Sequence, residues 1–322
     1  MSTTRKALIV GVSGQDGGYL ARHLLSLGYT VVGTTRGAAE GLPDNLVRLG
    51  IGSRVSMVRL DPHSTDHVVA VLDRLCPDEL YMLSGQSSVG RSFDDPLGTF
   101  QDNAGACVAV LEALRRHPKV HAFFAGSSEC FGNTDVPADC RTRFAPLSPY
   151  GTSKSFAFWQ VATYRAAYGL HVSTGILFSH ESPLRRAGFV TPRIISGAVR
   201  IAAGVEERLT LGPLYPVRDW GWAPEFVEAM HLMVRAETPS DQIIATGRSV
   251  SLEYFVERVF AAVGLDWRDH VDVRPERERH TNIARSLADV TQTRDRLGWV
   301  ASMDVDAVVD RLVECERKGD TG

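Results

Sequence analysis

The chain has 322 residues, 44% hydrophobic and 23% charged, with a formal net charge of −3 when histidine is neutral. That balance supplies core for about two lobes and argues against a surface that coats nucleic acid, while no run approaches the roughly 20 apolar residues that cross a bilayer. Met1–Lys6 lacks a signal-peptide layout, which predicts a cytoplasmic protein, and five scattered cysteines without a Cys-x-x-Cys pair indicate neither a disulfide framework nor a thiolate metal site.

Lys6–Val10 is a short apolar run, as expected of a strand buried on both faces. Gly14–Leu27 follows with apolar residues at helical spacing. Further strands are predicted at Thr30–Thr35, Val55–Leu60, Glu79–Ser84, His121–Gly126 and His171–Phe178, with helices at Thr65–Leu75, Phe100–Arg115 and Pro149–Tyr168 between them. Such alternation specifies an α/β, doubly wound parallel sheet with helices on both faces, a Rossmann-type fold. After Phe178 the pattern loosens. Helices are expected at Pro192–Ala203, Trp222–Arg235, Leu252–Val263 and Ser302–Glu316, and a short strand at Gln242–Ala245. The predicted organisation is a dinucleotide-binding domain of residues 1–178 plus about 218–248. A smaller C-terminal substrate lobe takes about 179–217 plus 249–322.

The first strand runs into Gly11-x-x-Gly14-x-x-Gly17 at the turn into the first helix. Gly11 permits a tight turn, Gly14 a close approach to a pyrophosphate, and Gly17 packing of the helix on the sheet. The phosphate would sit on free N–H groups at the helix start, where the dipole favours negative charge. The second strand ends in Thr34-Thr35-Arg36-Gly37, with no carboxylate to hold a ribose hydroxyl and an arginine placed for a 2′-phosphate. This favours NADP over NAD. Asp61, after the third strand, is a candidate acceptor for the adenine amino group.

Tyr150 and Lys154 stand four apart at the start of a helix, on one side of it. The expectation is that the ammonium lowers the phenol pKa, so that Tyr150 takes a proton from a sugar hydroxyl as hydride leaves carbon. Ser127 and Glu129 lie in Gly126-Ser127-Ser128-Glu129-Cys130 at the C-terminal end of the fifth strand, the edge where ligands bind in such sheets. Ser127 is placed to hydrogen-bond the same hydroxyl. Simple hydride transfer needs no carboxylate, so Glu129 suggests proton abstraction and elimination beside a transient ketone.

These motifs resemble the extended short-chain dehydrogenase/reductase superfamily and, within it, the GDP-mannose 4,6-dehydratase family. ALIVGVSGQDGGYL, GSSECFG, SPYGTSK, GILFSHESP, FVTPRI, VRDWG and IATG carry the resemblance to about Gly247, and RDRLGW adds to it at 294–299. It implies a lyase that oxidises C4 of a hexose, removes the C5 proton and loses water from C6, giving a 4-keto-6-deoxy sugar. The implied catalytic residues are Ser127, Glu129, Tyr150 and Lys154. The implied cofactor contacts are Gly11, Gly14, Gln15, Asp16, Gly17, Arg36, Asp61, Ser84 and His180, besides Tyr150 and Lys154. The implied substrate contacts are Ser87, Ser128, Ser179, Glu181, Arg193 and Arg218, on a nucleotide-diphosphate sugar, with no metal.

A homodimer through Phe100–Arg115 and Pro149–Tyr168, or a tetramer, is implied with no nucleic-acid or membrane partner. Three departures stand out. Gly37-Ala38-Ala39 replaces a second arginine and a longer loop. Ser179 replaces an asparagine, and Arg279-His280-Thr281-Asn282 replaces Arg-Pro-Thr-Glu. The competing expectations are a 4-epimerase or 4-ketoreductase of the same superfamily, a dehydratase acting on another nucleotide sugar such as a GDP-heptose, and a non-catalytic dinucleotide sensor.

Overall fold

Along the first strand Ala7 and Ile9 pack into one hydrophobic cluster and Leu8 and Val10 into another, and all four are buried. Side chains on a strand alternate between faces, so this run must lie inside a sheet covered on both sides. In the computed structural model, which describes residues 4–37, 41–274 and 283–319, it does. The strands of that sheet are β1 (Lys6–Val10), β2 (Thr30–Thr35), β3 (Ser56–Arg59), β4 (Glu79–Met82), β5 (His121–Ala125), β6 (Val172–Leu177) and, after the excursion described below, β10 (Gln242–Ile244). They are all parallel, in the order β10-β6-β5-β4-β1-β2-β3. The strand order reverses between β1 and β4, which opens a crevice at their C-terminal ends.

Helices α1 (Gln15–Ser26) and α9 (Ala223–Arg235) cover one face through Tyr19, Leu20, Leu24, Phe226, Met230 and Met233. The opposite face is covered by α3 (Thr65–Leu75), α6 (Ala106–Arg116) and α7 (Pro149–Tyr168). Three short helices, α2 (Asp44–Arg48), α4 (Val89–Asp94) and α5 (Pro96–Phe100), lie between strands. The helix expected to begin at Phe100 begins earlier. Asp95 caps α5, Pro96 opens it, and a π-helical turn at Gln101–Gly105 joins it to α6. Periodicity cannot register that extra residue per turn.

The expected loop after Phe178 is also partly ordered as strand. There β7 (Ser179–Glu181) pairs with β9 (Val217–Trp222), which pairs with β11 (Ser249–Ser251). Residues 217–222 therefore belong to a small mixed sheet, whereas α9 and β10 belong to the main one. Between β7 and β9 run α8 (Val190–Ala202) and β8 (Leu209–Leu211); β8 pairs with β12 (Val271–Val273). A separate core joins α8, α10 (Leu252–Ala262) and α13 (Val305–Lys318) through Ile194, Phe255, Val259 and Val308. The remaining helices are α11 (Trp267–His270) and α12 (Thr291–Leu297). Ala38, Ala39 and Arg279–Asn282 lie outside the described residues. Among the described residues no helix is long and apolar enough to cross a membrane.

The edge of the sheet away from the crevice holds a cluster of titratable groups. Buried Glu79 accepts hydrogen bonds from Tyr29 and Tyr81. His121 and His171 stack with ring centroids 3.6 Å apart. Burial, and then His121, push the His171 imidazole down to about 4. Burial and His23 do the same to His231, also to about 4. Both rings are held neutral in the fold and bind protons more readily when unfolded. Their stabilisation is complete above the ordinary histidine pKa of about 6.5 and is lost as pH falls toward 4. The melting temperature is therefore expected to drop over that interval. Thermal unfolding of His171→Gln against pH should show a shallower drop than the parent chain.

Candidate active site

Gly11 has φ of +100°, and a Cβ there would lie 2.7 Å from the Ser84 nitrogen. A Cβ on Gly17 would lie 2.3 Å from the Gly11 oxygen and 2.6 Å from the Val12 Cα. Both glycines are thus demanded by the chain itself, because β1, α1 and the end of β4 meet backbone to backbone. Gly14 differs. A Cβ there would meet only the Gly11 oxygen, at 3.4 Å, so its openness serves what lies outside. Gly14 also caps α1 without a side-chain bond, which leaves first-turn N–H groups for an anion. The loop opens on a cleft of about 1220 Å³ that runs along the strand ends and into the second lobe. The buried Nε of Arg185, which lines this cleft, has no hydrogen-bond partner. A cradle of free N–H groups with the Arg185 charge beside it, 3.7 Å from the Glu181 carboxylate, fits the diphosphate of a dinucleotide.

Ser148 accepts from the Gly151 N–H at 3.0 Å and Pro149 opens α7, a start signal that sets Tyr150 in the first turn. Ser127, two residues past β5, accepts from the Glu129 N–H at 3.3 Å in a tight turn, and Glu129 lines the cleft. Ser127, Ser128, Glu129, Tyr150 and Lys154 all line it. The Tyr150 phenol is buried and pushed up by that burial, with the Ser127 hydroxyl, hydrogen-bonded to it, pulling the other way. Lys154 reaches backbone beside Tyr150. Its Nζ donates to the Ala125 carbonyl at 2.9 Å and stands 6.0 Å from the Tyr150 ring centroid. Burial dominates at both groups, raising the phenol and lowering the lysine. Burial also raises Glu129, opposed by the Arg218 charge.

Arg218 donates to the Val217 and Ile283 carbonyls at 2.9 and 2.8 Å. Its neighbour Asp219 is fully buried and accepts from the Thr246 and Gly247 N–H groups at 2.9 and 2.8 Å. Burial outweighs these bonds and pushes Asp219 up to about 6. RDWG and IATG are thereby clasped to each other, with only the arginine of the pair facing the cleft.

The other named residues divide. Gly11, Gly14, Gln15, Asp16, Gly17, Arg36, Ser84, Ser87, Ser179, His180, Glu181 and Arg193 all line the cleft. Several of them also have protein partners. Glu181 is buried and accepts from Thr191 at 2.7 Å. Arg193 is exposed and donates to the Thr210 carbonyl at 3.1 Å. His180 is buried against Asp16 and the Phe178 carbonyl. Asp61 is exposed, does not line the cleft, and accepts from His63, which lines it in Asp61's place. Arg36 lies 72% exposed, 3.5 Å from Asp102.

Sequence patterns missed His63, Asp102, Arg185 and Asn103. Asn103 is buried on the π turn and donates to Ser153, which donates to the Tyr150 carbonyl.

The family model described as GDP-mannose 4,6 dehydratase matches residues 8–312. The chain is 36% identical to GDP-mannose 4,6 dehydratase 1 of Arabidopsis thaliana, over 96% of this chain and 88% of that protein. It belongs to the GDP-mannose 4,6-dehydratase family. The fold is shared more widely. The dTDP-glucose 4,6-dehydratase of Bacillus anthracis, in complex with NAD, superposes with a TM-score of 0.85 at 16% identity, covering 98% of this chain and 97% of that one. RMD from Pseudomonas aeruginosa, complexed with NADPH, does so at 0.80 and 18%, covering 98% and 100%. Within this member of the GDP-mannose 4,6-dehydratase family the Arg218 charge restrains the rise of Glu129. In Arg218→Gln the Glu129 carboxyl is expected to titrate at higher pH than in the parent, as measured by carboxyl NMR.

Proposed function

We propose that the protein is an NADP-dependent nucleotide-sugar 4,6-dehydratase that converts GDP-mannose, or a related GDP-sugar, to its 4-keto-6-deoxy product. The observation that carries this is the convergence of Glu129, Tyr150 and Ser127 on one cleft with Arg218 beyond them. The first-turn N–H groups of α1 and Arg185 would hold the dinucleotide diphosphate. Arg36, with no carboxylate at the tip of β2, supports a 2′-phosphate. Arg218, held by two carbonyls, is set to bind the substrate diphosphate through its forked donors. Residues 179–217 and 249–322 would form the lobe that holds the sugar nucleotide.

The chemistry that a bound nicotinamide supplies is reversible hydride acceptance, from C4 and back to C6. Ser127 holds the O4 hydroxyl and Tyr150 takes its proton. Lys154 keeps β5 and α7 in register through the Ala125 carbonyl and supplies positive charge beside the phenol. Glu129 takes the C5 proton that a C4 ketone acidifies and passes it to the departing C6 oxygen, which leaves as water, and the proton that Tyr150 took from O4 is returned to C5. Both roles suit one carboxyl group whose pKa burial has raised toward the working pH. Epimerisation or ketone reduction gives Glu129 no such task.

Purified protein incubated with GDP-mannose and no reductant should form the 4-keto product without net NADPH consumption; a requirement for stoichiometric NADPH would indicate a reductase. Tyr150→Phe should lose about 10²-fold or more in kcat with cofactor retained, and Glu129→Gln should stop elimination. Nucleotide extracted from the protein as purified distinguishes NADP from NAD.

We also infer a homodimer through α5, α6 and α7. Phe100, Phe156 and Trp159 are exposed there, and the Phe100 and Phe156 rings pack 5.5 Å apart, an apolar face suited to its own copy. Light scattering should give twice the chain mass, and Trp159→Glu should give the monomer.

A further inference from the structure

Asp16 raises an electrostatic problem. It stands in the first turn of α1, where a dinucleotide diphosphate would sit. Two anions at one helix start repel each other unless a cation intervenes. The cation is supplied from β7. The Nδ1 of His180 faces the Phe178 carbonyl at 2.7 Å and its Nε2 faces the Asp16 carboxylate at 3.0 Å. With Asp16 ionised, as its lowered pKa favours, both oxygens only accept, and this geometry calls for a hydrogen on each ring nitrogen, an imidazolium. Gln15 donates to the same Asp16 oxygen at 3.1 Å and to the His180 carbonyl at 3.2 Å, while Ser182 donates to Gln15 at 2.8 Å. The ring lies on Phe226 of α9, with centroids 4.6 Å apart.

We propose that Asp16 is the counter-ion that keeps His180 an imidazolium, and that this pair fixes β7 against the phosphate-binding end of α1. Both are positioning residues. The proposal rests on the assigned dinucleotide site but not on the identity of the sugar. The groups facing the pair are Gln15 from α1, the Phe178 carbonyl, Ser182 and Arg185 from the β7 segment, Phe226 from α9, and Lys154 of α7, whose charge Asp16 favours. Burial and Arg185 both oppose charge on His180. Asp16 outweighs them, so the ring is shifted up and the carboxyl down. Without Asp16 only the opposing influences and the Phe178 carbonyl remain, and the ring becomes neutral with its proton on Nδ1. By the same logic the pair in the intact chain holds until pH rises through the elevated His180 value, and is lost above it.

The test is imidazole ¹H–¹⁵N NMR on the full-length protein, with His180 signals identified by their loss in His180→Gln. The expected result is a doubly protonated His180 at pH 7 with a midpoint above an ordinary histidine. Asp16→Asn should move that midpoint down by about one pH unit or more, leave only Nδ1 protonated at pH 7, and weaken dinucleotide binding about tenfold. Asp16→Glu should recover part of both. A neutral His180 in the parent chain at pH 7, or unmoved His180 signals in Asp16→Asn, would overturn the proposal. If Asp16→Asn does not fold, the parent spectrum alone decides. An imidazolium found in a protein that fails to dehydrate GDP-mannose would overturn the functional assignment and leave the pair standing.

Discussion

Backbone touches backbone where β1, α1 and the end of β4 converge, and the site is built outward from that contact. Gly11 and Gly17 leave no room for even a methyl group between these segments. The contact fixes the axis of α1, and with it the direction in which its first-turn N–H groups point. Gln15 and Asp16 project from that turn and reach across to Ser182 and His180. A change in the angle of α1 would therefore displace the phosphate cradle and the second lobe together.

Several ionisable groups of the cleft are buried, and they respond in one direction. Burial raises Tyr150 and Glu129 and lowers Lys154 and Arg218, pushing each toward its neutral form. Charge survives where a partner sustains it: Glu129 with Arg218, His180 with Asp16. Such a setting strengthens each remaining interaction and keeps a reactive ketone from hydration.

The sheet and most helices were legible because parallel strands buried on both faces read as apolar runs, and each was separated by a periodic helix. The glycine loop, Tyr150, Lys154, Ser127 and Glu129 were legible because each sits next to an element end. What escaped was set by long-range contact. Asp61 follows β3 as expected, but local hydrogen bonds turn it to His63 and out of the cleft. Lys154 has the expected spacing, yet its choice of the Ala125 carbonyl depends on how α7 lies over β5. The π turn at Gln101–Gly105 leaves no mark that a 3.6-residue period can detect, and Asn103 was missed with it.

Arg218 is anchored by Ile283, a residue 65 positions downstream. Most of the motifs shared with the family lie before Gly247, which invites the idea of a complete catalytic unit with a dispensable tail. The Ile283 carbonyl contradicts it. Arg218, which lines the cleft, is oriented from beyond that boundary, so the segment around Ile283 is part of what shapes the cleft and is not a detachable cassette.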